Sequence, residues 1–244
     1  MMRFEKNKIE LENKGYSVLN QLYTVSEIQE ILQIIKNSEK SGNSFLKTKD
    51  LFAIRQLLNV IPDLKQVLFN SKLIDLVNGL FDTECFLTKA IYFDKPKESN
   101  WFVSYHQDLS ISVNRKVEVE NYINWTYKKN QFGVQPPTEV LDNIITIRIH
   151  LDTTNADNGA LRVIPKSHQK GICRVDSIDW ENKEEQICQV NKGGVMLMKP
   201  LTLHASNRTT NQKQRRVIHL EFCNKELAEP IEWLERIKLR DYTG

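Results

Sequence analysis

Residues 104–109, Ser-Tyr-His-Gln-Asp-Leu, place a histidine two positions before an aspartate in a stretch that otherwise resembles a β-strand. Residues two apart on a strand point to the same face, so His106 and Asp108 can reach a common partner. An imidazole and a carboxylate are both ligands for divalent transition metals. The pair therefore predicts part of a metal site, although H-x-D pairs are also common by chance.

A third metal ligand must come from elsewhere in the chain, which has five histidines. His204 is the best candidate, because it follows a predicted strand and precedes the polar turn Ala-Ser-Asn. Two histidines and one carboxylate occupy one face of an octahedron, as in non-haem Fe(II) oxygenases, and leave room for a bidentate cosubstrate and O₂. His150 is favoured as a structural residue, and His168 as part of a turn.

Arg215 follows His204 by 11 residues, at the start of the last strong predicted strand. A hairpin between these elements would return the arginine toward the imidazole. An arginine inside a mostly apolar barrel needs an anionic partner, which a dicarboxylic acid would supply through a bidentate pair. Adjacent strand residues point to opposite faces, so Arg216 is the alternative. We favour Arg215, although its face of the strand also carries His219 and Glu221.

The elements that must position these residues change character along the chain. Residues 1–84 are predicted to be mainly helical, with a capping-box pattern at Thr24 and Glu27 before apolar residues at helical spacing. Short strands and turns follow, and Ile144–Leu151 alternates with period two. This pattern predicts an antiparallel sandwich or barrel. Residues 114–143 interrupt it as a long insertion, which is typical of a lid or binding loop.

Composition excludes several classes of protein. The 244 residues are 40% hydrophobic and 27% charged, as in ordinary globular proteins. A net charge of +3 is too small to predict binding to nucleic acid or to an anionic membrane. The four cysteines form no C-x-x-C pair, and no apolar stretch approaches the length of a membrane span. We therefore expect a cytoplasmic protein that acts on a small molecule, without nucleic-acid or membrane partners.

The blocks around the candidate residues resemble the phytanoyl-CoA dioxygenase (PhyH-like) family of Fe(II)/2-oxoglutarate-dependent oxygenases. They follow the family's order over about residues 85–225, whereas the N-terminal third resembles the family only loosely. Lys166 departs from the pattern, because the family usually has glycine there. The matching segments are Tyr105–Leu109, Arg148–Asp152, Asn158–His168, Gly194–Pro200, His204–Arg208 and Arg215–Arg216.

The resemblance implies a single oxygenase domain over residues 1–244. Its fold would be a double-stranded β-helix, a jelly-roll or cupin-like barrel, with the N-terminal helices packed on one sheet. The implied cofactors are Fe(II), 2-oxoglutarate as cosubstrate and O₂, with ascorbate as a stimulating reductant. The implied reaction hydroxylates an unactivated C–H bond and releases succinate and CO₂.

The resemblance also assigns residues to these cofactors. His106, Asp108 and His204 would bind the iron. Arg215 would bind the distal carboxylate of 2-oxoglutarate, and the assisting residues would be Ser206 and Thr146. Related halogenases replace the ligand aspartate by a small residue, so the presence of an aspartate here implies hydroxylation instead.

Four further residues are candidate substrate contacts, namely Tyr92, Gln107, Trp125 and Gln135. Two alternative functions remain open at this point. One is a barrel-fold metal-binding protein without oxygenase activity, against which Arg215 argues. The other is a cupin-type dioxygenase that uses metal and O₂ without an oxo-acid. The motifs of serine hydrolases, P-loop proteins, dinucleotide-binding proteins and zinc metalloproteases are missing from the sequence.

Overall fold

The computed structural model of the protein describes residues 4–38, 46–47, 52–95, 102–174, 178, 180, 183–211 and 213–242. The α-helices in these ranges are α1 (Glu5–Lys14), α2 (Val25–Ser38), α3 (Leu57–Val60), α4 (Leu64–Leu68), α5 (Ser71–Leu80) and α6 (Thr138–Asp142). The strands are β1 (Tyr16–Leu19), β2 (Leu46–Lys47), β3 (Phe52–Arg55), β4 (Phe86–Lys95), β5 (Val103–His106), β6 (Ile111–Val113), β7 (Ile123–Lys128), β8 (Gln131–Gln135), β9 (Ile144–His150), β10 (Leu161–Val163), β11 (Gln186–Ile187), β12 (Val195–Met198), β13 (His204–Ser206), β14 (Arg215–Cys223) and β15 (Ile237–Lys238). No helix in the described ranges combines the length and the apolar composition that a membrane span requires.

Two antiparallel sheets carry the architecture. The larger has the order β1-β12-β9-β14-β4-β3-β2, with β15 beside β4. The smaller has the order β11-β10-β13-β5. Strands that are neighbours in space are far apart in sequence, as where β14 lies between β9 and β4. Such crossovers between two antiparallel sheets agree with the predicted sandwich or barrel.

The N-terminal third is less purely helical than predicted. The capping box is present, since the Thr24 backbone N–H donates to Glu27 Oε2 at 2.6 Å and the Glu27 N–H donates to Thr24 Oγ1 at 3.2 Å. However, β1 extends one edge of the large sheet, and β2 and β3 extend the other. Strands this short, at 4, 2 and 4 residues for β1, β2 and β3, show no clear period-two alternation in a segment that is otherwise helical.

The outer face of the large sheet is apolar and packs on the helices. Burying one such side chain contributes about 1.5–3 kcal/mol, so this packing fixes which face of each strand points outward. The inner face of the same strands is thereby left to carry polar residues. The outward-facing sheet residues in this core are Ile145, Ile147, Ile149, Leu197, Ile218, Leu220 and Phe222, against Ile28, Ile31, Ile35, Leu73 and Val77 of the helices.

The predicted insertion is folded over residues 114–143. Strands β7 and β8 form a hairpin that pairs with β6 in a separate sheet of order β6-β8-β7. Trp125 and Phe132 of this hairpin pack against a second core cluster, which includes Val134 and Trp233. The insertion is thus a supported hairpin beside the large sheet and not an irregular loop.

Candidate active site

Strands β5 and β13 of the smaller sheet bring two histidines together. His106 and His204 are direct partners across this antiparallel pair, and their ring centroids are 4.2 Å apart. Asp108 lies just beyond the end of β5, with its carboxylate beside both imidazoles. One ligand atom from each of the three side chains lies within 4.8 Å of the other two.

Backbone carbonyls fix the orientation of both rings. Nδ1 of His106 is 2.9 Å from the Ser104 oxygen, and Nδ1 of His204 is 2.9 Å from the Thr202 oxygen. A carbonyl oxygen only accepts, so each Nδ1 donates and each Nε2 keeps its lone pair. The Nε2 atoms lie 3.8 and 3.7 Å from the carboxylate oxygens of Asp108. Histidines that bind metals are typically held in this way.

The loop that carries Asp108 is anchored by its neighbour, Gln107. The side chain of Gln107 points away from the histidines and is buried. Its Nε2 donates to the carbonyl oxygens of Gly171 and Leu201 at 2.9 and 2.7 Å, and its Oε1 accepts from the Cys173 N–H at 2.8 Å. Asp108 therefore reaches the histidines although the strand has already ended.

The electrostatic environment prepares these groups for a cation. Burial raises the pKa of Asp108, but the positive charges of His204, His219, His106 and Lys89 oppose it, and the pKa is lowered to about 2. Burial lowers the pKa of His204 to about 4, although the Asp108 charge acts in the other direction. At neutral pH the carboxylate is ionised and this imidazole is neutral, as metal ligands must be.

The three side chains fit a divalent transition metal. The separations between Asp108 and the two imidazoles exceed hydrogen-bond length, so a cation can lie between the three groups. Two imidazole nitrogens and one carboxylate oxygen are the donor set of non-haem Fe(II) oxygenases. The residues present therefore fit iron.

The ligand cluster opens into a cavity of about 220 Å³. Two guanidinium groups line it, Arg215 from β14 and Arg148 from β9, together with Ser206. Burial lowers the pKa of Arg215 to about 9, and the neighbouring Arg148 charge adds to the lowering. Arg148 Nη1 donates to His219 Nδ1 at 3.1 Å, while its buried Nε makes no hydrogen bond. Buried cations beside open space favour an anionic ligand.

Arg215 and Arg216 lie on opposite faces of β14, and Arg215 is the one that faces the cavity. Arg216 points outward and pairs with Asp152, with Nε and Nη2 at 2.8 and 2.7 Å from the carboxylate oxygens. The guanidinium of Arg216 is therefore already paired with a carboxylate. The inward orientation of Arg215, favoured in the sequence analysis, is therefore the one observed.

Lys95 adds another buried cation at the same end of the cavity. It pairs with Arg215 across β4 and β14, and its Nζ donates to the Asn207 oxygen at 2.8 Å. Burial lowers the pKa of Lys95 to about 7, with a further contribution from Arg215. Gly159, with a φ of 81°, approaches both, because a Cβ there would lie 3.1 Å from Lys95 Nζ and 3.9 Å from Arg215 Cζ. The turn at Asp157–Gly159 thus brings the backbone close to the two cations.

A sequence profile for phytanoyl-CoA dioxygenase (PhyH) matches residues 11–217. The chain belongs to this family. It is therefore an enzyme of the Fe(II)/2-oxoglutarate-dependent oxygenases. Enzymes of this class use iron as cofactor and 2-oxoglutarate and O₂ as cosubstrates. The resemblance noted in the motifs is confirmed, and the match also reaches into the N-terminal third.

Solved structures share the fold of this PhyH family member. EctD from S. alaskensis, with 2-oxoglutarate and 5-hydroxyectoine, is 16% identical, with 93% of this chain and 78% of EctD aligned at a TM-score of 0.70. SnoK, a non-haem α-ketoglutarate-dependent carbocyclase from nogalamycin biosynthesis, is 12% identical, with 91% and 84% aligned at 0.68. EvdO2 from Micromonospora carbonacea var. aurantiaca, in complex with 2-oxoglutarate, is 16% identical, with 95% and 96% aligned at 0.65. The double-stranded β-helix fold is thereby confirmed. No curated protein matches the chain by sequence.

The four candidate substrate contacts do not line the cavity beside the metal ligands. Tyr92 belongs to the core beneath the helices, on the outer face of the sheet. Gln107 uses its amide to anchor the loop described above. Trp125 packs under the hairpin, and Gln135 accepts a hydrogen bond from Asn124 at 2.8 Å. Sequence alone could not distinguish these roles, because they depend on which face of each element is covered.

Thr146, predicted to assist the cosubstrate, faces the barrel interior but does not line the cavity. It pairs with Glu221 across β9 and β14, and its buried hydroxyl makes no hydrogen bond. Ser206, the other predicted assistant, does line the cavity beside His204.

Two polar residues of the cavity walls, Arg148 and His219, were not among the predicted site residues, and neither was Lys95, which lies beside Arg215. A signal for Arg148 was present, since a charged side chain lies between Thr146 and His150 on the polar face of the alternating strand β9. His219 shares the face of Arg215 in the sequence pattern, whereas Lys95 gave no comparable signal, because a charged residue at the end of a strand is typical of the surface.

Proposed function

We propose that this oxygenase hydroxylates an unactivated C–H bond of a small-molecule substrate, with release of succinate and CO₂. The observation that carries the proposal is the convergence of His106, Asp108 and His204 on a cavity that is also lined by Arg215. The metal ligands and the partner for an oxo-acid are thereby brought to one space.

In the proposed mechanism, His106, Asp108 and His204 would hold Fe(II). When bound, the iron would supply the chemistry that couples oxidative decarboxylation of 2-oxoglutarate to oxidation of the substrate. The carbonyls of Ser104 and Thr202 keep both imidazoles in the required tautomer.

Arg215 is the proposed partner of the distal carboxylate of 2-oxoglutarate. Its planar guanidinium can form a bidentate, charge-assisted pair in a buried site. Lys95, beside it, supplies a second positive charge, and Ser206 supplies a hydroxyl on the same side as His204. Arg148, which also lines the cavity, adds a further positive charge that favours a dianion. These groups orient the cosubstrate and exclude water from its carboxylates.

Succinate formation tests the proposed reaction. The purified protein is supplied with Fe(II), ascorbate and 2-oxoglutarate under air, with and without candidate substrates. We expect succinate in both cases, with faster release when a substrate is accepted, and none with an Asp108→Ala variant. A product that gains one oxygen atom by mass spectrometry supports hydroxylation. A product of unchanged mass would instead indicate a rearrangement such as epimerisation.

The same assay separates the two alternative functions. A metal-binding protein without oxygenase activity would form no succinate with any substrate. A cupin-type dioxygenase would consume O₂ without 2-oxoglutarate. Either outcome would contradict the proposal.

A further inference from the structure

A second cavity, of about 250 Å³, lies beside the metal cavity, between the inner face of the large sheet and the β6-β8-β7 sheet. The two cavities share Phe93, Asp108 and His219. The rings of Phe93 and His219 meet edge to face, with centroids 6.2 Å apart, and form the partition. A molecule in the second cavity therefore borders the candidate metal centre at Asp108.

Cations from three different strands line this second cavity. They are Arg55 of β3, Lys89 of β4 and Lys128 of β7. Lys89 is neutralised, because its Nζ lies 2.8 Å from Glu221 Oε2. That glutamate is the one acidic residue on the described walls besides Asp108.

Arg55 and Lys128 differ from Lys89. Both side chains are exposed at the mouth of the second cavity, and among the described residues neither side chain has a hydrogen-bond or ion-pair partner. Within the part of the chain that the structure describes, the second cavity therefore carries two positive charges at its mouth that no acidic side chain compensates. The register of β3 and β4 pairs Arg55 with Ile91, so both side chains point to the interior face of the sheet.

The remaining walls are mixed, since polar side chains alternate with apolar ones; the polar residues are Ser110, Ser112, Thr126, Gln131 and His219. The apolar residues include Ile91, Phe93, Ile111 and Phe132, and the last of these comes from the hairpin. The volume is below the range of about 300–1000 Å³ that holds drug-sized ligands, so the natural ligand is small. The two phenylalanine rings, Phe93 and Phe132, can hold the apolar part of a ligand, while the cations at the mouth favour an anionic end.

We propose that the second cavity binds the substrate of this enzyme, and that the substrate is a small molecule with an apolar body and a carboxylate or phosphate group. Arg55 and Lys128 pair with the anionic group at the mouth. The apolar body lies against Phe93 and Phe132 and presents its C–H bond toward the centre at Asp108. This inference rests on the proposed function, which supplies the reaction.

Matched six-carbon probes test the substrate class. Binding of hexanoate, hexyl phosphate, hexanamide and hexylamine is measured by calorimetry on the protein loaded with Fe(II) and 2-oxoglutarate, without O₂. We expect each anion to bind roughly tenfold more tightly than the amide and the amine, the effect of two exposed ion pairs. The ratio of hexyl phosphate to hexanoate affinity then distinguishes a phosphate from a carboxylate substrate. Equal affinity for hexanamide and the two anions would overturn the proposal.

Two variants assign the effect to the mouth of the second cavity. An Arg55→Gln/Lys128→Gln variant should lose the roughly tenfold preference for hexanoate while it binds 2-oxoglutarate as the parent protein does. Lys116→Gln is the matched control, since Lys116 is exposed in the same insertion and does not line the second cavity. An unchanged preference in the double variant would also overturn the proposal. Failure of the parent protein to bind 2-oxoglutarate would count against the proposed function instead.

Discussion

Arg215 and Arg216 are neighbours in sequence but lie in different environments, one inside the barrel and one in an ion pair with Asp152 on the outer face. Their roles should separate accordingly. Removal of a buried charged partner weakens binding by on the order of a hundredfold or more. We expect Arg215→Gln to raise the 2-oxoglutarate dissociation constant by that amount while iron binding persists.

Arg216→Gln is the matched control, and it should leave the affinity for 2-oxoglutarate within a factor of about two, because its partner is Asp152. Both constants can be measured by calorimetry on protein loaded with Fe(II), without O₂. A large loss of affinity in the Arg216 variant alone would show that the outer guanidinium binds the cosubstrate.

Lys95 should make cosubstrate binding depend on pH. Burial lowers the pKa of Lys95 to about 7, so the free enzyme loses this positive charge as the pH rises through that value. A bound dianion favours the charged form, and binding above this pH requires uptake of a proton. The dissociation constant of 2-oxoglutarate should therefore rise, by at most about tenfold per pH unit, between pH 7 and pH 8.5.

The control for this prediction is Lys95→Met, which fills a similar volume without a charge. Its 2-oxoglutarate affinity should be weaker than that of the parent protein at pH 6.5 and should no longer change over the same range. If the dissociation constant of 2-oxoglutarate for the parent enzyme does not change between pH 7 and pH 8.5, the charge of Lys95 does not contribute to cosubstrate binding.

At the scale of single elements, the loop after β5 determines whether Asp108 reaches the histidines. Gln107 makes three hydrogen bonds that hold this loop. A Gln107→Leu substitution leaves buried backbone groups without partners, which costs about 1–3 kcal/mol. We expect a lower free energy of unfolding by that amount, and weaker iron binding, although Gln107 does not touch the site.

Chemical denaturation and iron titration measure these two effects. Gln135→Leu is the control, because Gln135 is half-buried on the hairpin and accepts a single described hydrogen bond. Should Gln107→Leu bind iron as tightly as the control variant, the loop would not depend on this anchor.

Much of the site could be predicted from the strands that carry it. The alternation of β9 and β14 indicated an apolar face and a mixed face, and the structure shows why both exist. Helices cover the face with Ile218 and Leu220, so the face with Arg215 and His219 must point inward. The H-x-D spacing predicted that Asp108 lies near His106 through a shared strand face, whereas the strand ends at His106 and the loop after it positions Asp108.

Other features depended on contacts that a sequence does not display. The partners of Gln107 come from two separate loops, so its anchoring role could not be predicted from the H-x-D motif. Short strands such as β3 have no visible period, and the position of Arg55 at the second cavity follows only from the pairing of β3 with β4. The insertion was identified by length, whereas its hairpin fold depends on packing against the core around Trp233.

At the scale of the whole molecule, one core cluster joins α1, α2 and α5 to the strands β9 and β14. This continuity supports the single domain over residues 1–244, which stays a prediction. In such a domain, a metal bound by His106, Asp108 and His204 should stabilise the entire fold, because the unfolded chain lacks the site.

We therefore expect Fe(II) to raise the melting temperature under anaerobic conditions. When the Fe(II) concentration is one hundred times its dissociation constant, the free energy of unfolding should increase by about 2.7 kcal/mol. For a chain of this size, this corresponds to a melting temperature that is roughly 5–10 °C higher. His106→Ala and His204→Ala should show no such increase in scanning calorimetry. An equal increase in these variants would mean that iron binds elsewhere.

The central claim is that His106, Asp108 and His204 hold one Fe(II) to which 2-oxoglutarate then binds, oriented by Arg215. The most direct measurement is an anaerobic titration of the Fe(II)-loaded protein with 2-oxoglutarate, followed by visible absorbance. The account predicts a weak charge-transfer band that saturates at one equivalent of 2-oxoglutarate per iron and is missing in His204→Ala. A parent protein that binds iron but develops no band, or a band that persists unchanged in His204→Ala, would contradict it.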